Sequence, residues 1–302
     1  KKRDFVPTLR KNEYVAIIPV LQGCLGACTY CKTKFARGTL KSYPQEDIIN
    51  QVRIAKNEGM KEIWLVSEDN GAYGLDIDTN FPNLLRALIE IEGDFKIRVG
   101  MFNPEYAYEY RDVLPELIAH ERFYNFVHIP IQSGNNKVLK DMVRPYTREE
   151  WQAAVDALKQ TIPDVSIAND IICGFPTEDD AAWQDTLSLV QANELAMINI
   201  SKFYPRGGTT AAKMKLLPTE IPKARSKELT EWWNTQNYNE KYVGKTVTAL
   251  FTEKGKNNTL LGRTENYKQV VIPFQENILG KRAVVKIEEV TRDDLRGDII
   301  SL

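Results

Sequence analysis

Three of the chain's four cysteines, Cys24, Cys28 and Cys31, fall within eight consecutive positions, whereas Cys173 lies far away. Three cysteines this close together indicate a metal site in a reducing compartment, because secreted proteins tend to spread their cysteines along the chain as disulfide cross-links. We therefore expect a cytoplasmic protein. Iron–sulfur proteins commonly supply four thiolates to a cubane cluster, one for each iron. Three thiolates leave one iron without a protein ligand, and an open metal position is where a small molecule coordinates.

Two other interpretations of the triplet stay open at the level of sequence. The first is a structural zinc site completed by Cys173, although zinc modules usually repeat two-residue cysteine spacings and add histidines. The chain has only two histidines, His120 and His128, and neither is near the triplet in sequence. The second is three unrelated buried cysteines. We expect Cys173 to be a small buried apolar residue and His128 to pack within a strand.

The elements that must position the triplet form an alternating pattern between residue 14 and about 204. The chain has 302 residues, 43% apolar and 27% charged, which is enough for one large and one small folded domain. Six apolar runs alternate with helical patterns and predict parallel strands with right-handed crossovers. These runs are Tyr14–Gln22, Glu62–Val66, Lys96–Met101, Phe126–Ile129, Val165–Ile172 and Met197–Tyr204. We expect an α/β fold, an open partial (β/α)6 barrel, with the cysteines following the first strand at its carboxyl end.

The last part of the chain has a different pattern. A polar helix is predicted over Thr219–Tyr242, and short alternating strands separated by glycines follow it. This pattern predicts a small antiparallel β-barrel, a class that often binds oligonucleotides. We expect a linker over 1–13, an α/β domain over 14–241 and the barrel over 242–302. Because residue 1 is not Met, we also expect the natural protein to begin upstream with a domain that is missing here.

Charge is segregated along the chain although the net charge is −1. Residues 1–41 carry nine basic and two acidic side chains, residues 42–201 carry 13 and 27, and residues 202–245 carry nine and four. Basic segments beside an acidic middle suggest a polyanionic partner. The longest uncharged apolar run, Tyr14–Leu21, is too short to cross a bilayer. We expect no membrane segment in this chain and a monomer.

The motifs around the cysteines resemble those of a known family. Cys-x3-Cys-x2-Cys with Tyr30 before the last cysteine is similar to the signature of radical S-adenosylmethionine (SAM) enzymes. The segment Gly23–Gly38 resembles the methylthiotransferases, and most closely the archaeal and eukaryotic branch acting on threonylcarbamoyladenosine in tRNA. Further similar segments are Ser67–Gly74, His128–Ser133, Asp170–Glu178 and Phe203–Arg206. The last 60 or so residues resemble the family's RNA-binding TRAM domain.

The resemblance implies a function for several residues. Cys24, Cys28 and Cys31 would hold a [4Fe–4S] cluster whose open iron binds SAM, and reductive cleavage would give a 5′-deoxyadenosyl radical. No catalytic residue is expected beyond the cluster and SAM. Residues implied in SAM binding are Tyr30, Ser67, Glu68, Asp69, Gln132, Ser133, Asp170, Gly174, Phe175, Glu178 and Arg206. Residues considered for contacts with substrate or RNA are Arg37, Arg144 and Lys213.

Two departures from the family pattern matter. Most family members have the sequence Pro-Arg-Pro-Gly-Thr-Pro after the sixth strand. Here Gly207–Thr210 follows Arg206, so the second and third prolines of that motif are absent. We therefore expect a looser loop. Methylthiotransferases also carry three further cysteines on an N-terminal domain for a second cluster, and this sequence lacks them. We expect this chain alone to bind one cluster and cleave SAM without inserting sulfur.

The function implied by the resemblance is methylthiolation of threonylcarbamoyladenosine beside the anticodon, with the tRNA anticodon loop as partner. Three alternatives remain open: a methylthiotransferase for isopentenyladenosine tRNA or a ribosomal-protein aspartate, a single-cluster radical SAM enzyme without sulfur insertion, and a non-enzymatic zinc and RNA-binding module. The particular residues of these motifs favour the threonylcarbamoyladenosine target. The electron donor is not encoded in any feature of the sequence.

Overall fold

Six parallel strands form the larger part of the molecule, which we describe from a computed structural model covering residues 12–302. Residues 1–11 of the expected linker lie outside the described residues. Two three-stranded parallel sheets have the orders β1-β4-β5 and β6-β7-β8. The strands of this part are β1 Val15–Pro19, β2 Leu21–Gln22, β3 Lys41–Ser42, β4 Glu62–Val66, β5 Lys96–Val99, β6 Phe126–His128, β7 Ser166–Cys173 and β8 Met197–Lys202.

Helices connect these strands in the order that the sequence pattern predicts. They are α1 Thr33–Arg37, α2 Gln45–Asn57, α3 Phe81–Ile89, α4 Pro104–Glu109, α5 Leu114–Ile118, α6 Asn136–Asp141, α7 Arg148–Thr161, α8 Asp180–Gln191 and α9 Glu220–Thr235. Local chemistry fixes several starts: the Asn80 side chain caps α3, and Thr147 with Glu150 forms a capping box on α7. The predicted open α/β barrel is therefore confirmed, with strands that mostly end a few residues earlier than expected.

The C-terminal part is a closed five-stranded barrel, which confirms the predicted fold class. Its strands are β9 Thr246–Lys254, β10 Thr259–Thr264, β11 Gln269–Pro273, β12 Arg282–Val290 and β13 Asp294–Ser301. The order is β10-β11-β13-β12-β9, and all pairs except β11 with β13 are antiparallel. The last strand was not predicted from sequence, and its parallel pairing with β11 closes the barrel.

The barrel packs against the amino ends of the core strands, on the side away from the cysteines. Glu62, the first residue of β4, is fully buried there. Its carboxylate accepts hydrogen bonds from Trp64 on the same strand, at 2.6 Å, and from Thr252 and Tyr267 of the barrel, at 3.1 and 3.2 Å. A second contact joins the Lys96 ammonium to Glu265. The two parts therefore share a polar, hydrogen-bonded interface.

Candidate active site

The cysteine loop lies between β2 and α1, at the carboxyl ends of the core strands. Gly23 opens it with a φ of 78°, and a Cβ there would stand 2.1 Å from the carbonyl oxygen of Thr39. Only glycine fits this close approach. The loop is tied to the rest of the core by backbone hydrogen bonds from Thr29 to Met142 and from Ala211 to Thr29. The three cysteines are thus held on a loop anchored from two directions.

Each of the three cysteine sulfurs accepts a hydrogen bond from a nitrogen donor. The Gly26 amide donates to Cys24 at 3.2 Å, the Thr33 amide donates to Cys31 at 3.3 Å, and the Arg144 guanidinium donates to Cys28 at 3.1 Å. Donors aimed at sulfur stabilise thiolates and are a known means of tuning iron–sulfur clusters. Burial opposes this in the free chain by raising the pKa of the Cys24 thiol. The donor set therefore fits three thiolate ligands of a cluster.

The sulfurs surround a shared space without converging on one point. The sulfurs of Cys24 and Cys28 lie 3.2 and 3.6 Å from the position that a Cβ on Gly26 would take. Among residues 12–302, no three His, Cys, Asp or Glu side chains are gathered as ligands of a single metal ion. The thiolates of a cubane bind different irons, so a cluster does not need ligands gathered around one ion.

Cys173 is separate from the triplet. It is fully buried at the end of β7, where burial raises the pKa of its thiol to about 12. The charged groups that act on its pKa are Glu178 and Arg225, not the other cysteines. A zinc site made from the triplet and Cys173 therefore has no support in this geometry.

Arg144 is the centre of a buried hydrogen-bond network beside Cys28. The residue is only 8% exposed. Besides the bond to Cys28, its guanidinium donates to the Asn103 side-chain oxygen at 2.6 Å and to the Tyr146 hydroxyl at 2.6 Å. A buried arginine keeps its positive charge, which suits thiolate and other anionic neighbours. We considered Arg144 for RNA contacts from sequence, and the structure brings it to the cysteine loop instead.

Asp69 stands at the other end of this network. Its carboxylate accepts from the Asn103 backbone amide at 3.0 Å and from the Asn103 side-chain amide at 2.6 Å. Burial raises the pKa of Asp69 to about 7, while the Asn103 donors oppose the shift. Asp69 therefore fixes the amide of Asn103, and Asn103 in turn orients the guanidinium of Arg144.

Glu68 and Arg37, considered separately from sequence, form one ion pair. Their side chains meet at 3.5 Å, with Arg37 largely exposed. Ser67, the residue before Glu68, accepts a hydrogen bond from the Asp69 amide at 3.1 Å. The loop after β4 thus contacts the helix that follows the cysteines, and Arg37 is held by a carboxylate.

Polar side chains on β6, β7 and β8 meet across the second sheet. The Asp170 carboxylate contacts His128 at 2.9 Å and accepts from the Asn199 amide at 2.7 Å. Burial would raise the pKa of Asp170, but the contact with His128, the hydrogen bond from Asn199 and the charge of Arg144 together lower the pKa. His128 is thus partnered with a carboxylate, where we expected a plain packed residue. Gln132, adjacent in the bridge to β7, has a φ of 72°, a strained conformation for a side-chain-bearing residue.

Four residues implied in SAM binding are instead built into the core. Ser133 and Phe175 are completely buried. A Cβ on Gly174 would stand 2.3 Å from Pro222, so its lack of a side chain serves the packing of α9. Glu178 accepts from the Gly174 amide and from the Arg225 guanidinium, both at 2.8 Å. The structure does not bring the side chains of Ser133 and Glu178 to the cysteine loop, whereas Phe175 contacts Tyr30 of that loop.

A cavity opens over the cysteine sulfurs, and Tyr30 packs beside it. Tyr30 packs edge-on against Phe175, with ring centroids 6.4 Å apart. A cavity of about 240 Å³ opens over the sulfurs and is lined by the cysteine loop, α1 and residues 208–210. Arg206 and Lys213 are exposed on either side of that last segment. The loop without the two prolines therefore forms one wall of the cavity.

Sequence reasoning missed the residues that link the motifs. Asn103 joins Asp69 to Arg144, and Tyr146 joins Arg144 to backbone carbonyls. Asn199 donates to Asp170. Asn103 lies in the short loop between β5 and α4, so its place at the carboxyl edge of the sheet was the available signal.

Two family models match the two parts of the chain that the structure shows. The model of the radical SAM superfamily matches residues 18–190, and that of the TRAM domain matches residues 240–300. No helix of residues 12–302 has the length and apolar character needed to cross a membrane.

Curated relatives match nearly the whole chain. A protein of Pyrococcus abyssi named "Probable threonylcarbamoyladenosine tRNA methylthiotransferase" is 43% identical, over 99% of this chain and 70% of its own length. Proteins named "Threonylcarbamoyladenosine tRNA methylthiotransferase" from Drosophila pseudoobscura pseudoobscura and Homo sapiens are 41% and 40% identical over 98% of this chain. The chain spans only 54% and 52% of those two proteins.

Solved structures are similar in fold. The radical SAM methyltransferase TsrM from Kitasatospora setae, with cobalamin and a [4Fe–4S] cluster bound, aligns with a TM-score of 0.51 at 14% identity, over 62% of this chain and 36% of that one. Coproporphyrinogen III oxidase from Escherichia coli aligns with a TM-score of 0.51 at 14% identity, over 73% and 52%. At these identities the likeness concerns the fold alone.

Proposed function

Because this chain belongs to the radical SAM superfamily and, within it, to the threonylcarbamoyladenosine tRNA methylthiotransferase family, we propose that it is the SAM-cleaving and RNA-binding part of an enzyme that methylthiolates threonylcarbamoyladenosine in tRNA. The family implies a [4Fe–4S] cluster and SAM. Relatives carry the threonylcarbamoyladenosine name rather than that of isopentenyladenosine or a ribosomal protein, which favours this target over the alternatives.

The observation that carries the proposal is the nitrogen donor on every sulfur of the triplet. Gly26, Thr33 and Arg144 together favour the thiolate form of Cys24, Cys31 and Cys28. When bound, the cluster supplies the electron that cleaves SAM reductively. The three cysteines would hold three of its irons and leave the fourth to the cofactor.

The charged groups beside the cysteines suit the two ends of a methionine. The Arg144 guanidinium places a positive charge beside Cys28, which suits the carboxylate of a ligand bound there. Asp69 and Asn103 hold that guanidinium in place. Ser67 and Glu68 follow β4 on the same rim and offer oxygen acceptors to an ammonium.

The second sheet offers contacts to the nucleoside end of SAM. Asp170, held by His128 and Asn199, presents a carboxylate that accepts from hydroxyl groups. The strained Gln132 lies next to it, and Tyr30 closes the floor with Phe175. Ser133, Gly174 and Glu178 shape this floor from behind. Arg206, Lys213 and Arg37 lie at the rim and are our candidates for tRNA phosphates.

The remaining parts of the proposal concern the whole protein. We propose domain limits of 14–241 and 242–302, and a second cluster on a region beyond this chain that handles the sulfur. The C-terminal barrel, hydrogen-bonded to the core through Glu62, would hold tRNA near the anticodon loop. A monomer in the cytoplasm suits the sparse, clustered cysteines.

A two-stage experiment tests the proposal. First, the reconstituted chain with dithionite and SAM should yield 5′-deoxyadenosine, and the Cys28→Ala variant should not. Second, the full-length protein containing this chain should restore the 2-methylthio derivative of threonylcarbamoyladenosine in tRNA of a strain that lacks it. Restoration of the isopentenyladenosine derivative instead, or cleavage that survives Cys28→Ala, would contradict the proposal.

A further inference from the structure

One aromatic side chain that lines the cysteine cavity is unusually exposed. Phe35 on α1 is 72% exposed. A Phe ring left in water has a cost of roughly 1.5–3 kcal/mol relative to burial, and no residue of α1 is buried by the fold. Packing within this chain therefore does not account for Phe35.

The surroundings of Phe35 are cationic. Residues 14–45 carry four basic side chains and no Asp or Glu, and residues 195–219 carry another four with no Asp or Glu. These two segments form the walls of the cavity, since Lys34 and Phe35 belong to the first and residues 208–210 to the second. Glu68 is paired with Arg37 there, and the remaining basic side chains of the two segments make the rim cationic.

Lys32 links the ring of Phe35 to the second wall. Its ammonium stands 4.9 Å from the centroid of the Phe35 ring. The same ammonium would lie 2.9 Å from a Cβ on Gly208, so the two walls are in contact there. An exposed ring with a cation over it, at the entrance of a cavity, is the arrangement by which proteins stack unpaired bases and hold the adjoining phosphate.

We propose that Phe35 is a positioning residue on which one unpaired anticodon-loop base stacks, with Lys32 holding the adjoining phosphate, so that the target adenosine enters the cavity. This inference rests on the proposed function and names the contact that directs the RNA. A flat π face and a cation rim suit a nucleobase better than a protein segment, which would need only an apolar surface.

The test uses an anticodon stem-loop RNA with 2-aminopurine beside the target adenosine. Binding to the 302-residue chain is followed by anisotropy, and stacking by quenching of 2-aminopurine. Phe35→Ala should weaken binding by roughly 5- to 150-fold and abolish quenching, whereas Phe35→Trp should retain both. Phe35→Leu keeps the apolar surface but not the π face, and should behave like the alanine variant. Ile54→Ala, an exposed apolar position on α2, is the matched control and should bind like wild type.

The outcomes separate two failures. If the wild-type chain does not bind the RNA, both the proposed function and the stacking role are contradicted. If it binds and Phe35→Ala binds equally well, only the stacking role is overturned. A Phe35→Leu variant that binds and quenches like wild type would point to a protein segment as the occupant and overturn it too. Because Phe35 is exposed, the variants should keep the wild-type thermal unfolding midpoint.

Discussion

Replacing Arg144 by Met should weaken SAM binding and make the cluster harder to reduce. The guanidinium is 8% exposed and donates to Cys28 and Asn103 at 3.1 and 2.6 Å. Methionine has similar length and no donors. Its introduction removes the cation proposed for the SAM carboxylate and one hydrogen bond from the sulfur of Cys28.

The magnitude follows from the kind of contact that is lost. A hydrogen bond to a charged group contributes about 1.5–3 kcal/mol, so the Kd for SAM should rise roughly 10- to 150-fold. Loss of a donor from a cluster ligand disfavours the reduced, more negative state. If the lost hydrogen bond stabilises the reduced cluster over the oxidised one by about 1.5 kcal/mol, the midpoint potential falls by about 60 mV. Arg144→Lys keeps the charge without the planar guanidinium and should lie between.

Isothermal titration of SAM into the cluster-loaded chain measures the first effect, and a redox titration followed by electron paramagnetic resonance measures the second. Arg148→Met is the control, because Arg148 is a partly exposed arginine on α7 that contacts Asp185 instead of the cysteines. A SAM affinity and a midpoint potential for Arg144→Met that both match the control would refute the reasoning.

Three further predictions concern groups around the site. Arg225→Met should lower the free energy of unfolding by about 3–5 kcal/mol in urea denaturation, because the buried Glu178 carboxylate loses its partner. Adding Glu178→Gln to Arg225→Met should recover part of the lost stability. Equal stability of the wild type, the single variant and the double variant would contradict the role of this ion pair. Glu62→Ala should uncouple the barrel, giving two thermal transitions where the wild type, joined through Tyr267, gives one. In the cluster-free chain, the pKa of Asp69 is about 7, against about 3.9 in the unfolded chain, so the free energy of unfolding should decline as pH rises from 4 to 7. Asp69→Asn should lack this decline in denaturant titrations at several pH values. A pH profile identical to that of the wild type would contradict the role of Asp69.

The core strands could be predicted because each is a short apolar run between helical patterns. Strand β13 could not, since only Leu295 of its eight residues is fully buried and charged side chains interrupt the run. Its position depends on pairing with β11 and β12, which are distant in sequence. Closure of a barrel supplies hydrogen bonds that no local pattern records.

The metal-binding triplet was readable from the sequence because its spacing is local. The network behind it was not, since Arg144 and Asn103 are 41 residues apart and Asn103 and Asp69 are 34 apart. Glu178 has a partner of the same long-range kind. The motif after β7 suggests a cofactor contact, and the structure adds an ion pair with Arg225 on α9, 47 residues later. Long-range packing decides which polar residue of a motif faces the cavity.

The most direct test of the three-cysteine cluster is electron paramagnetic resonance on the reduced, reconstituted chain, with SAM labelled by ¹⁷O in its carboxylate. We predict about four irons and four sulfides per chain and a signal that broadens through hyperfine coupling when labelled SAM binds the iron that lacks a cysteine. Bound zinc, or a cluster signal that labelled SAM leaves unchanged, would contradict an open iron held by Cys24, Cys28 and Cys31.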